Sequence, residues 1–257
     1  MKAVFQSDRG RVRPHNEDYA GIFSKNQVLL AVVADGMGGH LAGEVASQMA
    51  VERLEELWKE EKVAQSPEKI ETWLKENINK VNQEIYAQSI KNVGYQGMGT
   101  TIVAAVCTPR FVTVAHVGDS RCYLLNENGF NLLTDDHSLV NELVKSGQIS
   151  KEDAENHPRK NVLLRSLGTE TKVEVDIKTI GLEEDDILLL CSDGLTNKVS
   201  EEEIKDLLKS ERSLDEKCEE LIRLANENGG DDNITVAIVH NTSIEKEGEH
   251  HDDRTTN

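Results

Sequence analysis

The strongest constraint on this chain is a recurrence. Short apolar runs, far apart in sequence, each adjoin an aspartate with glycine or asparagine nearby. Asp35 follows the run 27–34 (QVLLAVVA) and opens Asp35-Gly36-Met37-Gly38-Gly39, and Asp193 follows 186–191 (DILLLC) in Ser192-Asp193-Gly194. Asp119 follows 111–117 (FVTVAHV) in Gly118-Asp119-Ser120-Arg121, and Asp231-Asp232-Asn233 leads into 233–239 (NITVAIV). A further acidic pair, Glu17-Asp18, ends Arg13-Pro14-His15-Asn16-Glu17-Asp18 just before another apolar stretch. Runs this short, rich in β-branched residues and bounded by Gly, Asp or Asn, read as β-strands. A fold that gathers their ends places several carboxylates in one cleft, where like charges either take up protons or require cations.

Further strands are expected at 101–107, 121–125 and 173–180, and Asn128-Gly129 supplies the positive-φ residues of a hairpin turn between 121–125 and 130–134. Two long helices fall between the runs at 27–34 and 101–107. Over 41–62, Val45, Met49, Leu54, Leu57 and Trp58 recur at helical spacing. After Ser66-Pro67, a cap followed by a first-turn proline, Ile70, Trp73, Leu74, Ile78, Val81 and Ile85 do the same. Shorter helices are expected near 136–147, 151–156, 200–210 and 214–228. Grouped strands separated by pairs of helices are not the βαβ alternation of a doubly wound sheet. Antiparallel sheets with helices packed outside, an α+β fold, fit better. Segment 243–257 lacks apolar periodicity and is expected to be disordered, leaving 1–242 as one domain.

Charge and composition remove other classes. The 257 residues carry 29 basic and 47 acidic side chains, a net charge of −18, and no basic patch stands out in the sequence, which excludes a general nucleic-acid binder. No apolar run approaches the roughly 20 residues of a bilayer span. No signal-type stretch follows Met1, so a cytoplasmic protein without a membrane partner is expected. Cys107, Cys122, Cys191 and Cys218 form no C-x-x-C pair and fall mainly in apolar runs, as buried thiols do. With aromatics at 4%, the core must consist mostly of Val, Ile, Leu and Ala.

The acids decide the chemistry. An isolated Asp-Gly is most often a turn and a lone strand-end aspartate is usually solvated, so repetition is what favours a site. Hard oxygen ligands suit Mg²⁺ or Mn²⁺. Glycine after Asp35 and Asp193 permits close backbone approach, which makes the Gly36 carbonyl a candidate ligand as well. Two such cations can orient an in-line attack on phosphorus, with Arg13 as the always-charged fork for the phosphate. Competing chemistries fail on spacing. No Gly-Lys-Ser/Thr follows the glycine cluster 36–43, which disfavours a P-loop. A cysteine phosphatase needs an arginine six positions after its cysteine, where this chain has Thr113, Asn128, Asn197 and Leu224. Ser120 lacks the flanking glycines of a nucleophile elbow.

At these motifs the chain resembles the metal-dependent protein phosphatases of the type 2C (PPM) family, specifically their compact bacterial members. The matching pieces are SDRGRVRPHNEDY (7–19), ADGMGGHLAGEVAS (34–47), GMGTT (97–101), AHVGDSRCYLL (115–125), DDHSLVNELVKSGQI (135–149), ENHPRKNVLLRSLG (155–168), LLCSDGL (189–195) and GGDDNITV (229–236). They run in family order across almost the entire chain. The resemblance implies a four-layer α-β-β-α sandwich of two antiparallel sheets flanked by helices, with a small flap at about 136–168 beside the active site. It implies that Asp35 bridges two metal ions, that the Gly36 carbonyl binds one, and that Asp193 and Asp232 bind the other. Asp18 would bind metal or orient its water, with Glu17 close by as a further candidate ligand. Asp119, together with Asp193, matches the ligands of a third, weaker ion in bacterial relatives, and Arg13 matches the phosphate-binding arginine.

One position departs from the pattern. Where some members carry histidine directly after the Asp-Gly, this chain has Met37. His40 is the candidate general acid in its place, weighed against metal-bound water as donor or a structural role. His116, His137 and His157 are expected to be structural, and Trp58 and Trp73 to be core. The implied activity is hydrolysis of phosphoserine and phosphothreonine in proteins by a metal-activated water at a binuclear Mn²⁺ or Mg²⁺ centre, opposing a Ser/Thr protein kinase, in a monomer. The alternatives are a catalytically idle binding module of the same fold, disfavoured because every matching acid is in place, and a hydrolase of small phosphate esters.

Overall fold

The apolar runs become the strands of two packed antiparallel sheets in the computed structural model, which describes residues 1–38, 42–60 and 66–242. The chain opens with β1 (Lys2–Asp8), β2 (Asp18–Lys25) and β3 (Val28–Met37), then the long helices α1 (Ala42–Glu60) and α2 (Pro67–Lys91). Next come β4 (Gly99–Thr100), β5 (Ile102–Cys107), β6 (Phe111–Val117), β7 (Arg121–Asn126) and β8 (Gly129–Leu132). Two short helices, α3 (Leu139–Lys145) and α4 (Lys151–Glu155), occupy the flap segment, before β9 (Asp176–Gly181) and β10 (Ile187–Cys191). The chain closes with α5 (Asp193–Thr196), α6 (Glu201–Lys209), α7 (Leu214–Glu227) and β11 (Ile234–His240). One sheet has the order β1-β11-β10-β7-β8, the other β2-β3-β5-β6-β9, with β4 paired to the end of β3.

Alternation along the central strands makes four layers. In β3, Leu30, Val32 and Ala34 pack under α1 and α2, while Leu29, Ala31 and Val33 face the other sheet. In β10, Leu188 and Leu190 point into the inter-sheet layer, and Ile187, Leu189 and Cys191 pack beneath α6 and α7 with Ile204, Leu208 and Leu221. Strands buried on both faces read as continuous apolar runs, which is why the sequence marks them so plainly. Trp58 and Trp73 meet edge to face at 5.4 Å between α1 and α2, Trp58 being buried and Trp73 half-buried at the core's rim. Ser150, Ser200 and Ser213 each begin a helix with a capping box, their hydroxyls accepting the N–H of Asp153, Glu203 and Glu216. All four cysteines are buried free thiols.

Three boundaries differ from the sequence reading. β3 does not stop before Asp35 but continues through it to Met37, because Gly36 and Met37 pair with Thr100 and Gly99 of β4. Asp193 does more than end a strand: it opens the short α5. β1 and β2 carry no clean period and were not expected as strands, yet they pair along their whole lengths with β11 and β3. The expectation for 243–257 lies outside the described residues.

Candidate metal centre

The register of the two sheets delivers the acids to one end of the sandwich. Asp18 heads β2 directly opposite Asp35 of β3. Asp193 stands two residues beyond β10 and Asp232 two residues before β11, its antiparallel neighbour. Asp119 sits in the turn between β6 and β7. Arg13, Glu17, Asp35, Gly36, Asp119, Asp193 and Asp232 all line one cleft of about 170 Å³, with Met37 on its wall and Asn161 and Leu163 reaching it from the flap segment. Thus widely separated acids do converge.

Backbone contacts hold this geometry tightly. The Asp35 N–H donates to Thr101 Oγ1 at 2.9 Å, and the Thr100 hydroxyl donates to the Asp35 carbonyl at 2.9 Å. The Gly36 N–H donates to the Glu17 carbonyl at 3.1 Å. A Cβ on Gly36 would stand 2.2 Å from the Gly43 carbonyl oxygen and 2.4 Å from that of Glu17, so only glycine lets β3, α1 and the Glu17 loop meet here. Asn233, the last residue of Asp231-Asp232-Asn233, is an organiser of the site with no role evident from the sequence. Its Oδ1 accepts the Glu17 N–H at 2.8 Å, while its Nδ2 donates to the carbonyls of Arg9 and His15 at 2.8 and 2.9 Å, pinning the whole 9–17 loop to the start of β11. Arg13 leans into the cleft, Nη2 donating to Asp232 Oδ2 at 2.8 Å.

Apart from Arg13 on Asp232, and Arg121 acting with it on Asp193, the negative charge of the cluster is not compensated. Burial, then the charges of Asp18, Asp193 and Asp119, push Asp35 well above the ordinary carboxylate range. Burial pushes Asp18 up to about 7, with Asp193 and Asp232 adding to it against the hydroxyls of Thr235 and Ser192. Asp119 is pushed up to about 8 by burial and then by Asp193, and Asp193 to about 6 by burial and then by Asp232. Burial also raises Glu17. The hydrogen bonds present do not satisfy the cluster: Asp18 Oδ2 accepts from Ser192 Oγ at 2.7 Å, but Asp18 Oδ1 and Asp193 Oδ1 are buried without any partner. Orphaned carboxylate oxygens beside several like charges are what a hard divalent cation repairs, so this donor set fits Mg²⁺ or Mn²⁺. His40 lies outside the described residues.

A second group, His116, His137 and Asp176, has its possible ligand atoms within 4.8 Å of one another. Its atoms are otherwise engaged. His137 Nδ1 accepts the Gly118 N–H at 3.1 Å, which assigns the ring proton to Nε2, 3.4 Å from Asp176 Oδ2. His116 Nε2 lies 2.9 Å from the Asp135 carbonyl, and the two rings stack at 4.6 Å. Arg165 stands 3.3 Å from His137 Nε2 and 2.8 Å from Asp176 Oδ1. A guanidinium among the would-be ligands repels a cation, and burial, followed by His116 and Arg165, lowers the His137 pKa and keeps it neutral. The cluster reads as a tether between β6, β9 and the flap segment, in keeping with the structural role expected for both histidines. His157 Nδ1 accepts the Arg159 N–H at 3.1 Å, a local turn contact. A larger groove, about 940 Å³, lies at the far ends of β7, β10 and β11, where acids such as Asp185 and Asp186 share the lining with Lys2, Lys209, Arg212 and Lys217.

Comparison with known proteins agrees with the motifs. A family model described as protein phosphatase 2C matches residues 9–237. The serine/threonine phosphatase stp of Listeria welshimeri is 53% identical over 247 residues, covering 96% of this chain and 98% of that protein. A solved serine/threonine phosphatase of S. agalactiae superposes with a TM-score of 0.88 at 43% identity, over 92% of this chain and 98% of that one. The catalytic domain of the serine threonine protein phosphatase PstP, solved in complex with 2 manganese ions, superposes with a TM-score of 0.80 at 35% identity, over 92% of this chain and 96% of that one.

Proposed function

Because the chain belongs to the protein phosphatase 2C family and is a metal-dependent protein phosphatase, we propose that it hydrolyses phosphoserine and phosphothreonine in proteins at a binuclear Mn²⁺ or Mg²⁺ centre built on Asp35, the Gly36 carbonyl, Asp193 and Asp232. Asp18 supports the same pair, with Glu17 beside it, and Asp119 with Asp193 offers a third, weaker position. The observation that carries this reading is the pair of buried, partnerless oxygens, Asp18 Oδ1 and Asp193 Oδ1, within a cluster of raised carboxylates. When bound, the cations polarise a phosphoryl oxygen and lower the pKa of water so that it attacks phosphorus near neutrality.

The chain's own residues do the rest. Arg13, half-exposed and anchored through one nitrogen to Asp232, keeps its remaining donors free to grip a phosphate from the solvent side. Asn233 fixes the loop that carries Arg13 and Glu17, so that fork and acids keep a constant separation. Thr100 and Thr101 lock the Asp35 backbone, which limits where its carboxylate can go. His40 is the proposed proton donor to the leaving alkoxide. Residues 1–242 act as one catalytic unit, with 136–168 as its flap, and the counterpart is a Ser/Thr protein kinase. No helix among the described residues is long and apolar enough to cross a membrane. The four free thiols suit a reducing compartment, and the cytoplasm is the proposed site of action.

The test is hydrolysis of a phosphothreonine peptide with Mn²⁺, after chelation by EDTA, and by the Asp35→Ala variant. Chelation and substitution should each abolish turnover. Undiminished activity in either arm contradicts the mechanism.

A further inference from the structure

The sequence contains no basic run, yet the fold brings two acid-free segments that carry basic side chains to one cleft. Residues 9–15 (RGRVRPH) and 157–165 (HPRKNVLLR) each hold three Lys or Arg and no acid, in a chain with a net charge of −18. The two segments are far apart in sequence, but Arg13 from one and Asn161 and Leu163 from the other line the same cleft. Arg11, Arg159 and Lys160 are exposed, and among the described residues none of them is in an ion pair. Arg53, Arg121, Arg212 and Arg223 elsewhere, and Arg165 at the end of the second segment, are each paired with a carboxylate, while Arg110 at the β5–β6 turn is exposed and, among the described residues, in no ion pair. In a protein with so large an acidic excess, unpaired exposed cations within two residues of the cleft-lining Arg13 and Asn161 suit a surface open to an external anion. The acids that precede 157–165 in sequence, Glu152, Asp153 and Glu155 of α4, do not line the cleft, and Asp153 is engaged in capping its own helix, whereas Glu17, which follows 9–15, lines it among the proposed metal ligands. Val12, Val162 and Leu164 stand exposed between these cations, three of the large apolar side chains that the described residues leave uncovered.

We propose that Arg11, Arg159 and Lys160 form a specificity surface that selects phosphoproteins with acidic residues on either side of the phosphorylated Ser or Thr. The assignment rests on the phosphatase reading of the cleft and adds to it the class of substrate. Arg13 takes the phosphate itself, and the outer cations meet flanking Asp or Glu side chains in solvent, where each pair contributes little and several together decide between substrates.

Phosphothreonine peptides that differ only in their flanks, Asp/Glu, Gln or Lys, are compared by kcat/KM with Mn²⁺ at low and high ionic strength, each normalised to turnover of para-nitrophenyl phosphate. Acidic flanks should be favoured over neutral ones by about tenfold, from three exposed pairs of modest strength, and the advantage should shrink with salt. Replacing Arg11→Gln, Arg159→Gln and Lys160→Gln together should bring the acidic-to-neutral ratio close to one. Equal rates across the wild-type series, a preference for Lys flanks, or an undiminished ratio in the triple variant would overturn the proposal. The wild-type series needs no variant to fold. Should neither the peptides nor the small ester be turned over, it is the phosphatase reading that falls, so the two failures are distinct.

Discussion

Replacing Asp35 by Asn should stabilise the protein when divalent cations are withheld. Around Asp35 the neighbouring carboxyls stand at about 6 for Asp193, about 7 for Asp18 and about 8 for Asp119, against an ordinary 3.8. A carboxyl whose pKa is higher in the folded than in the unfolded chain favours folding while protonated, and that contribution disappears as the pH rises through the folded value. The cation-free wild type should therefore be most stable below about pH 4, the ordinary carboxylate value, and lose stability progressively as the pH rises from there to about 8. Asn keeps the shape of Asp35 and removes one charge that all three neighbours face. One pKa unit corresponds to about 1.4 kcal/mol, so relief equal to one or two units gives roughly 2 kcal/mol at pH 8. At 2–4 °C per kcal/mol for a chain of about this size, the midpoint should rise by roughly 4–8 °C. Thermal unfolding in EDTA at pH 5 and pH 8, repeated with Mn²⁺, reads the effect. The variant should exceed wild type by more at pH 8 than at pH 5, and gain less from Mn²⁺. An Asp35→Asn protein that is less stable than wild type at pH 8 in EDTA, and equally stabilised by Mn²⁺, would refute the idea that the acids form one repelling cluster.

Other consequences are simpler to read. A Cβ at Gly194 would stand 1.9 Å from the Asn233 carbonyl oxygen, so Gly194→Ala must push β11 away from α5 and should cost about 1–3 kcal/mol in urea denaturation; an unchanged midpoint contradicts the packing. Asp136 holds Arg121 through two parallel bonds, Nε at 3.0 Å to Oδ1 and Nη2 at 2.7 Å to Oδ2, and Asp136→Ala leaves that partly buried guanidinium without its counter-charge. A loss of about 1–3 kcal/mol with an unchanged urea slope is expected. Burial pushes the thiols of Cys107 and Cys191 up to about 12, so a disulfide reagent at neutral pH should label them only after unfolding, and fast native labelling would be the contrary result.

Much of this architecture is legible from the residues because both faces of the central strands are buried. Leu29 to Ala34 and Ile187 to Cys191 leave no polar side chain to blur the signal, and each stops where an acid must reach the cleft. β2 was hidden for a physical reason: Gly21 lies in its middle, and the Phe23 ring folds over the place a Cβ would take, so the strand buries a surface that periodicity does not register. β1 is an edge strand with no fully buried residue, and it is defined by its ladder with β11, a partner more than 200 residues away. The aspartates were identifiable one by one, but not Asn233, whose three hydrogen bonds to the 9–17 loop exist only once that loop has folded back onto β11. The cationic surface was invisible for the same reason, since neither 9–15 nor 157–165 is a basic run by itself.

The most direct measurement is the anomalous scattering of manganese in a crystal of the protein grown with Mn²⁺. Two strong peaks should lie among Asp35, Gly36, Asp193 and Asp232, with a weaker one, if present, next to Asp119. Peaks at the His116, His137 and Asp176 cluster instead, or none within reach of Asp35, would contradict the account.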